Sequence, residues 1–258
     1  MNTLSKKCLI LSVSTFIFVP KHSFAEDLFT EQWGLGVNAI RSSIYTEQKN
    51  KNIVLLHLEY RGESLNIDSN SISYSIYNNE QYNLEILAKT LYYGYEHDDS
   101  PILKGMGERQ SSLEVGGRAS LKTDYGLLSL HVLSDVLGNH KGQEIEIRFG
   151  EPFYTEKWNG GPELTVGLSG GFRWQSKDVV DYYYGVKNSE ATPNRKKHQG
   201  NSALIPFFGV EVKTRIAKHF SLKGGLMYEH LPSTITQSPL TSSSDIELRT
   251  HLGLSYWF

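Results

Sequence analysis

Chemistry in this chain would have to come from its histidines and carboxylates. His97-Asp98-Asp99 places a histidine beside two aspartates, a combination able to activate water as an outer-membrane protease does. The surrounding residues are polar, and a solvated loop is the plainer expectation. His131 and Asp135 fall on one face of an alternating segment, but a hydrolytic triad needs a nucleophile as well. H-E-x-x-H does not occur, and the nine histidines are scattered without metal-ligand spacing. His198 belongs to the loop charge run Arg195-Lys196-Lys197-His198. The only cysteine is Cys8, so disulfides, thiolate metal sites and cysteine catalysis are excluded together. No catalytic, cofactor or metal site is expected.

The elements around these residues begin with an export signal. Lys6 and Lys7 precede an apolar run from Cys8 to Val19, and Ser23-Phe24-Ala25 supplies small residues before a cut. The run is shorter than the roughly 20 residues of a membrane-spanning helix. Residues 1–25 are therefore expected to be a cleaved signal peptide, with 26–258 a single domain starting at Glu26. Cys8 follows Ser5-Lys6-Lys7, a setting unsuited to lipidation. The net charge of −2 and the lack of a basic block exclude nucleic acid as a partner.

Downstream, apolar and polar residues alternate in segment after segment, which is the mark of a strand. Leu113, Val115, Gly117, Ala119 and Leu121 interleave with Glu114, Gly116, Arg118 and Ser120. The same reading applies to 128–136, 145–149, 164–175, 208–215, 220–229 and 246–258, and less cleanly to 33–41, 52–60, 65–78 and 82–93. A soluble sandwich or lipocalin-like barrel shares this pattern with a transmembrane barrel. Strands of about ten residues favour a tilted bilayer crossing. Aromatics near strand ends fit interfacial girdles: Tyr92, Tyr93 and Tyr95; Phe153, Tyr154 and Trp158; Tyr182, Tyr183 and Tyr184; Tyr256, Trp257 and Phe258.

Arg61-Gly62-Glu63, Thr123-Asp124-Tyr125-Gly126 and Ala217-Lys218-His219 read as tight turns, whereas 94–109, 176–200 and 231–245 are long polar links. Counted back from Phe258, the long links share the outer side. The alternation yields eleven segments, but single-chain bacterial barrels are even-numbered. Residues 65–78 have the length of two short strands. The expectation is an all-β, closed antiparallel transmembrane barrel of twelve strands, with ten as the fallback. It would reside in the outer membrane, in contact with lipid and with the barrel-insertion machinery. Its terminal strand, with Leu252, Leu254, Tyr256 and Phe258 on one face, has the form of an insertion signal.

The lumenal face would carry Glu59, Glu85, Glu114, Glu144, Glu146, Glu211, Glu229 and Glu247 against Lys89, Arg118, Arg148, Arg173, Lys213, Arg215, Lys223 and Arg249. Acids and bases balance on neighbouring strands, as cross-strand pairs prefer. A barrel this size can be filled by its own side chains. A structural charge network is expected, with a narrow selective pore as the alternative.

Several stretches resemble the MipA/OmpV family of outer-membrane proteins. They are Gly105-Met106-Gly107-Glu108-Arg109; Ser134-Asp135-Val136-Leu137-Gly138-Asn139-His140-Lys141-Gly142; Asp181-Tyr182-Tyr183-Tyr184-Gly185-Val186 with Glu190-Ala191; and Gln237-Ser238-Pro239-Leu240. In the last, Gln237 stands where the family pattern has an acid. The resemblance implies a non-enzymatic envelope protein, similar to a scaffold that joins a lytic transglycosylase to a murein synthase. Other readings are a surface receptor or adhesin working through the outer loops, a small-solute channel, and an outer-membrane hydrolase. For Asp181–Val186 two placements are open. One is an aromatic girdle with a glycine turn; the other is an inward fold in which Asp181 pairs with a base such as Arg109.

Overall fold

The computed structural model describes residues 32–42, 51–91, 93–157, 163–242 and 244–258. The signal segment 1–25, Glu26, Tyr92, Trp158 and the side chain of Phe153 lie outside the described residues. Twelve strands form one closed antiparallel barrel in which each pairs with its sequence neighbours and the last returns to the first. They are β1 (Gln32–Ser42), β2 (Lys51–Arg61), β3 (Leu65–Ile67), β4 (Ser71–Asn78), β5 (Tyr82–Leu91) and β6 (Ser112–Thr123). The second half comprises β7 (Gly126–Asp135), β8 (Gln143–Lys157), β9 (Glu163–Gln175), β10 (Ala203–Ala217), β11 (Phe220–His230) and β12 (Ile246–Trp257). The segment 65–78 is indeed two strands, which restores the even count and sets aside the ten-strand fallback.

Connections sort by rim. On the inner rim the chain turns at 62–64, 79–81, 124–125 and 218–219. Asn79 makes one of these turns possible, because its side-chain oxygen accepts the N–H groups of Gln81 and Tyr82 at 2.9 and 2.7 Å. On the outer rim, 92–111, 176–202 and 231–245 are long and contain structure of their own, including α1 (Lys177–Tyr184) and α2 (Ser233–Thr236).

Burial alternates as the sequence pattern requires. Leu128, Leu130, Val132, Ile147 and Phe149 face outward, while Ser129, His131, Glu146 and Arg148 are buried in the lumen. In β12, Leu252, Leu254 and Tyr256 point out, as does Phe258 just after it, and Glu247 points in. Lipid receives the apolar face and the polar face is kept from it. Large lumenal side chains sit over glycines of the next strand. A Cβ on Gly36 would lie 2.3 Å from His57 Nε2, and one on Gly225 would lie 2.5 Å from His251 Cε1. These glycines are how so many ionised and ring side chains fit inside.

Candidate functional site

The pairing register turns the lumenal charges into oblique rows. Glu85 pairs with Arg118, Arg118 with His131, His131 with Glu146, and Glu146 with Arg173, across β5 to β9. Glu85–Arg118 and Glu146–Arg173 thus set opposite charges on adjacent strands, which is the favourable arrangement. The side chains then connect the rows. Arg173 donates to Glu146 at 2.9 Å and to Glu229 at 2.7 Å. Arg249 lies 3.0 Å from Glu229 and 2.8 Å from Glu247. Arg148 lies 2.8 Å from Glu146. Lys89 reaches from β5 to Glu144 on β8 at 3.2 Å, and Gln175 donates to the other oxygen of that carboxylate.

Contacts also span the lumen. The Arg249 guanidinium on β12 sits 4.6 Å from the ring centroid of Tyr93, just beyond β5, and Arg173 donates to the Tyr93 hydroxyl at 3.2 Å. Nearer the inner rim, Lys223 on β11 contacts Glu59 on β2 at 3.2 Å and Asp68 at 3.6 Å. Glu59 also holds His57 and Ser255, each at 2.7 Å. Buried charges persist only when paired and hydrogen-bonded, and here the partners come from different walls. The interior is accordingly a cross-brace, and in planar lipid bilayers the protein is expected to show low conductance. Stable large single-channel steps would refute that expectation.

The outer mouth is covered by the long links, which share an apolar core. Val179, Val180, Tyr183 and Tyr184 line one face of α1 and pack with Tyr93, Tyr95, Leu103, Met106, Ile235 and Leu240. Spacing of three and four residues puts such side chains on one helical stripe. Tyr93, Tyr95, Tyr183 and Tyr184 therefore do not form an interfacial girdle. They are buried because their rings add large apolar surface to the aliphatic side chains of these polar links. Trp257 also departs from that expectation: it donates to Ser221 at 2.9 Å and lies under Arg61. Tyr256 and Phe258, in contrast, face outward.

Polar staples tie the links together. Arg109 donates to both oxygens of Glu190 at 3.0 Å, to the Tyr182 carbonyl at 2.7 Å and to the Gly107 carbonyl at 2.8 Å. The inward placement allowed an Asp181–Arg109 pair, and that pair is not formed among the described residues. Arg109 takes Glu190 instead, while Asp181 accepts the Gly200 N–H at 2.9 Å. Arg195 donates to the carbonyls of Glu190, Lys104 and Ile102. Ser238 donates to the Tyr184 carbonyl at 2.6 Å, joining 231–245 to α1. Gly185 follows α1 so closely that a Cβ there would lie 2.2 Å from the Asp181 carbonyl oxygen. Gly105 has φ +82, and so occupies backbone space that favours glycine.

A fourth link, 136–142, is organised by Asp135. Its carboxylate accepts the N–H groups of Leu137, Gly138, His140 and Lys141 and the hydroxyl of Ser112. That role explains why Asp135 does not form a dyad with His131. His140 Nδ1 accepts the Gly142 N–H at 3.0 Å, so the neutral ring carries its proton on Nε2, which lies 3.6 Å from Glu114.

The motif residues Met106, Arg109, Tyr182, Tyr183, Tyr184, Glu190 and Ser238 thus converge on one cap. Glu108 is exposed, Pro239 half-buried and Gln237 exposed at the end of α2. His97 and Asp98 are solvent-exposed at 3.2 Å, a surface pair. Two elements of the cap escaped the sequence reading. They are α1, for which the Val179/Tyr183 and Val180/Tyr184 spacing was the available signal, and Arg195, concealed in a charge run.

Comparison with known proteins agrees with this architecture. The family described as MltA-interacting protein MipA matches residues 33–258. Outer membrane protein Omp26La of Vibrio anguillarum is 27% identical over 217 residues, covering 83% of this chain and 82% of that one. Outer membrane protein OmpV of Vibrio cholerae is 25% identical over 222 residues, with coverage of 83% and 82%. The MltA-interacting protein of Escherichia coli is 24% identical over 204 residues, with coverage of 78% and 79%. With a closed twelve-strand barrel and a family match over nearly all of it, this chain belongs to the MipA family of outer-membrane β-barrel proteins.

Proposed function

We propose that the protein is a non-enzymatic docking partner at the outer membrane for a murein-cleaving lytic transglycosylase, with a murein synthase as the second client. The observation that carries this reading is family membership, together with a relative named for its interaction with MltA. A braced lumen and a stapled outer cap make transport a poorer use of the barrel. The rim facing murein remains available. On its turns Glu63, Asn79, Glu80, Asp124 and Lys218 are exposed, and so is Tyr125, at 79%. An exposed tyrosine within a polar surround is the form of an interface anchor.

Affinity capture from crosslinked envelopes tests the reading. The wild-type protein is expected to recover a lytic transglycosylase, and Tyr125→Ser to recover about tenfold less, in keeping with loss of an aromatic anchor. Capture that never yields a murein-remodelling enzyme would count against the proposal.

A further inference from the structure

The barrel wall is not equally complete all round. Neighbouring strands generally pair over many residues, as β1 does with β2 from Gln32↔Arg61 to Ser42↔Lys51. Between β2 and β3 only Tyr60↔Ile67 and Arg61↔Asn66 are paired. β3 is three residues long, far short of the roughly 9–11 that cross a bilayer. The hairpin of β3 and β4 turns back at 68–70, part-way up the wall. On its far side the wall is sound, since Thr90 N–H donates to the Asn70 carbonyl at 2.9 Å. On its near side, the outer half of β2 is paired with no strand among the described residues.

Register identifies the backbone groups left over. Gly62 N–H donates to the Leu65 carbonyl, so the even-numbered residues of β2 turn their N–H and C=O toward β3. Those of Leu58, Leu56 and Val54 point past the end of Ile67, and no backbone hydrogen bond to them is formed on that edge among the described residues. One outward side chain agrees: Leu56 is 84% exposed, against 46% for Val132 in the doubly paired β7. Lipid tails cannot satisfy peptide groups, and each unpaired group in the hydrocarbon costs several kcal/mol.

We propose that this edge, Val54–Leu58, takes up an extended segment of a partner polypeptide as an additional wall strand. Its chemistry defines the partner. The open ladder matches the N–H and C=O groups of another strand. Val54, Leu56 and Leu58 on the lipid side call for a segment apolar at alternate residues. A lateral portal into the lumen fits less well. Leu55 on β2 and Leu91 at the outer end of β5, buried side chains on the two banks, are 0% and 3% exposed, so the interior is sealed behind the notch.

The test uses the full protein in lipid nanodiscs and a peptide of alternating valine and threonine, about nine residues long to match a crossing strand. Without peptide, the Leu56 and Leu58 amides are expected to exchange about tenfold faster than that of Val132, and the peptide to slow them by about the same factor. Leu56→Pro is the second variant. Proline is tolerated where a strand N–H has no ladder partner, so Leu56→Pro is expected to fold and insert while losing the peptide-induced protection of Leu58. Val132→Pro, within a doubly paired strand, is expected not to fold. The proposal is overturned if Leu56→Pro fails to fold like Val132→Pro. It is equally overturned if the peptide leaves exchange unchanged, or if protection grows with protein concentration instead, which would assign the edge to a second copy.

Discussion

Arg173→Met is expected to destabilise the barrel by about 3–5 kcal/mol, the cost of removing one partner from a buried ion pair. Arg173 is 1% exposed, holds Glu146 and Glu229, donates to Tyr93 and packs against the Phe207 ring. Methionine fills much of the same volume, so the loss isolates the charge and its hydrogen bonds. Glu146 keeps Arg148 and Glu229 keeps Arg249, which places the effect nearer the lower bound. Arg173→Lys is expected to fall between, because an ammonium keeps the charge without the planar fork. Adding Glu229→Gln to Arg173→Met should recover part of the loss, since Arg249 is then left to Glu247 alone and one buried carboxylate fewer is short of a cation. Urea unfolding, followed by the heat-modifiable gel mobility of folded barrels, reads all four proteins. A change below about 0.5 kcal/mol for Arg173→Met, the range of ordinary surface substitutions, would refute the braced lumen.

Arg109→Ala is expected to release the outer cap while leaving the barrel folded. The Arg109–Glu190 pair is buried and joins 92–111 to 176–202, so its loss should cost about 3 kcal/mol of local stability. That corresponds to roughly a hundredfold faster exchange of the cap amides, read at Gly107 and Lys187, which donate to Glu190 at 3.2 and 3.0 Å. Unchanged exchange there would remove Arg109 from its place as the staple.

Acid should have a related effect in two windows. Burial acts to raise the Glu190 carboxyl, but the Lys187 N–H and Arg109 outweigh it and hold it below its ordinary 4.5. A depressed carboxylate contributes stability that is present above that value and lost as pH falls through the lowered one. Burial holds the His140 imidazole below its ordinary 6.5, against the pull of Asp135, Glu144 and Asp178. Its contribution is likewise full above 6.5 and declines on acidification. The 136–142 link is therefore expected to loosen first as pH drops, and the Glu190 staple later. Exchange that is flat between neutral pH and the carboxylate range would contradict this order.

Much of the architecture was legible because a membrane barrel is written at short range. Alternation in 113–121, 128–136 and 246–258 reports directly which side chains meet lipid, since period two is a property of the extended backbone itself. The length of 65–78 and the even-strand rule together implied the twelfth strand. The aromatics were harder. Tyr256 and Tyr183 look alike in sequence, yet one faces lipid and the other is buried in a loop core. What separates them is whether the flanking backbone is paired in the wall or free to fold over the mouth.

The sequence by itself determined the barrel, the direction each strand faces, the glutamates and arginines of the lumen, and which segments lie on the outer rim. Those follow from residue type and from a two-residue period, without reference to distant parts of the chain. Tertiary structure alone decided the partners: Glu190 rather than Asp181 for Arg109, Tyr93 beneath Arg249 across the lumen, and the inward-packed face of α1. It alone also showed that, among the described residues, β3 flanks only the inner end of β2. The reason is register and closure. A pairing between residues some 80 or 150 positions apart depends on how twelve strands are staggered around a ring, and the unpaired length of an edge depends on how far the adjacent hairpin climbs.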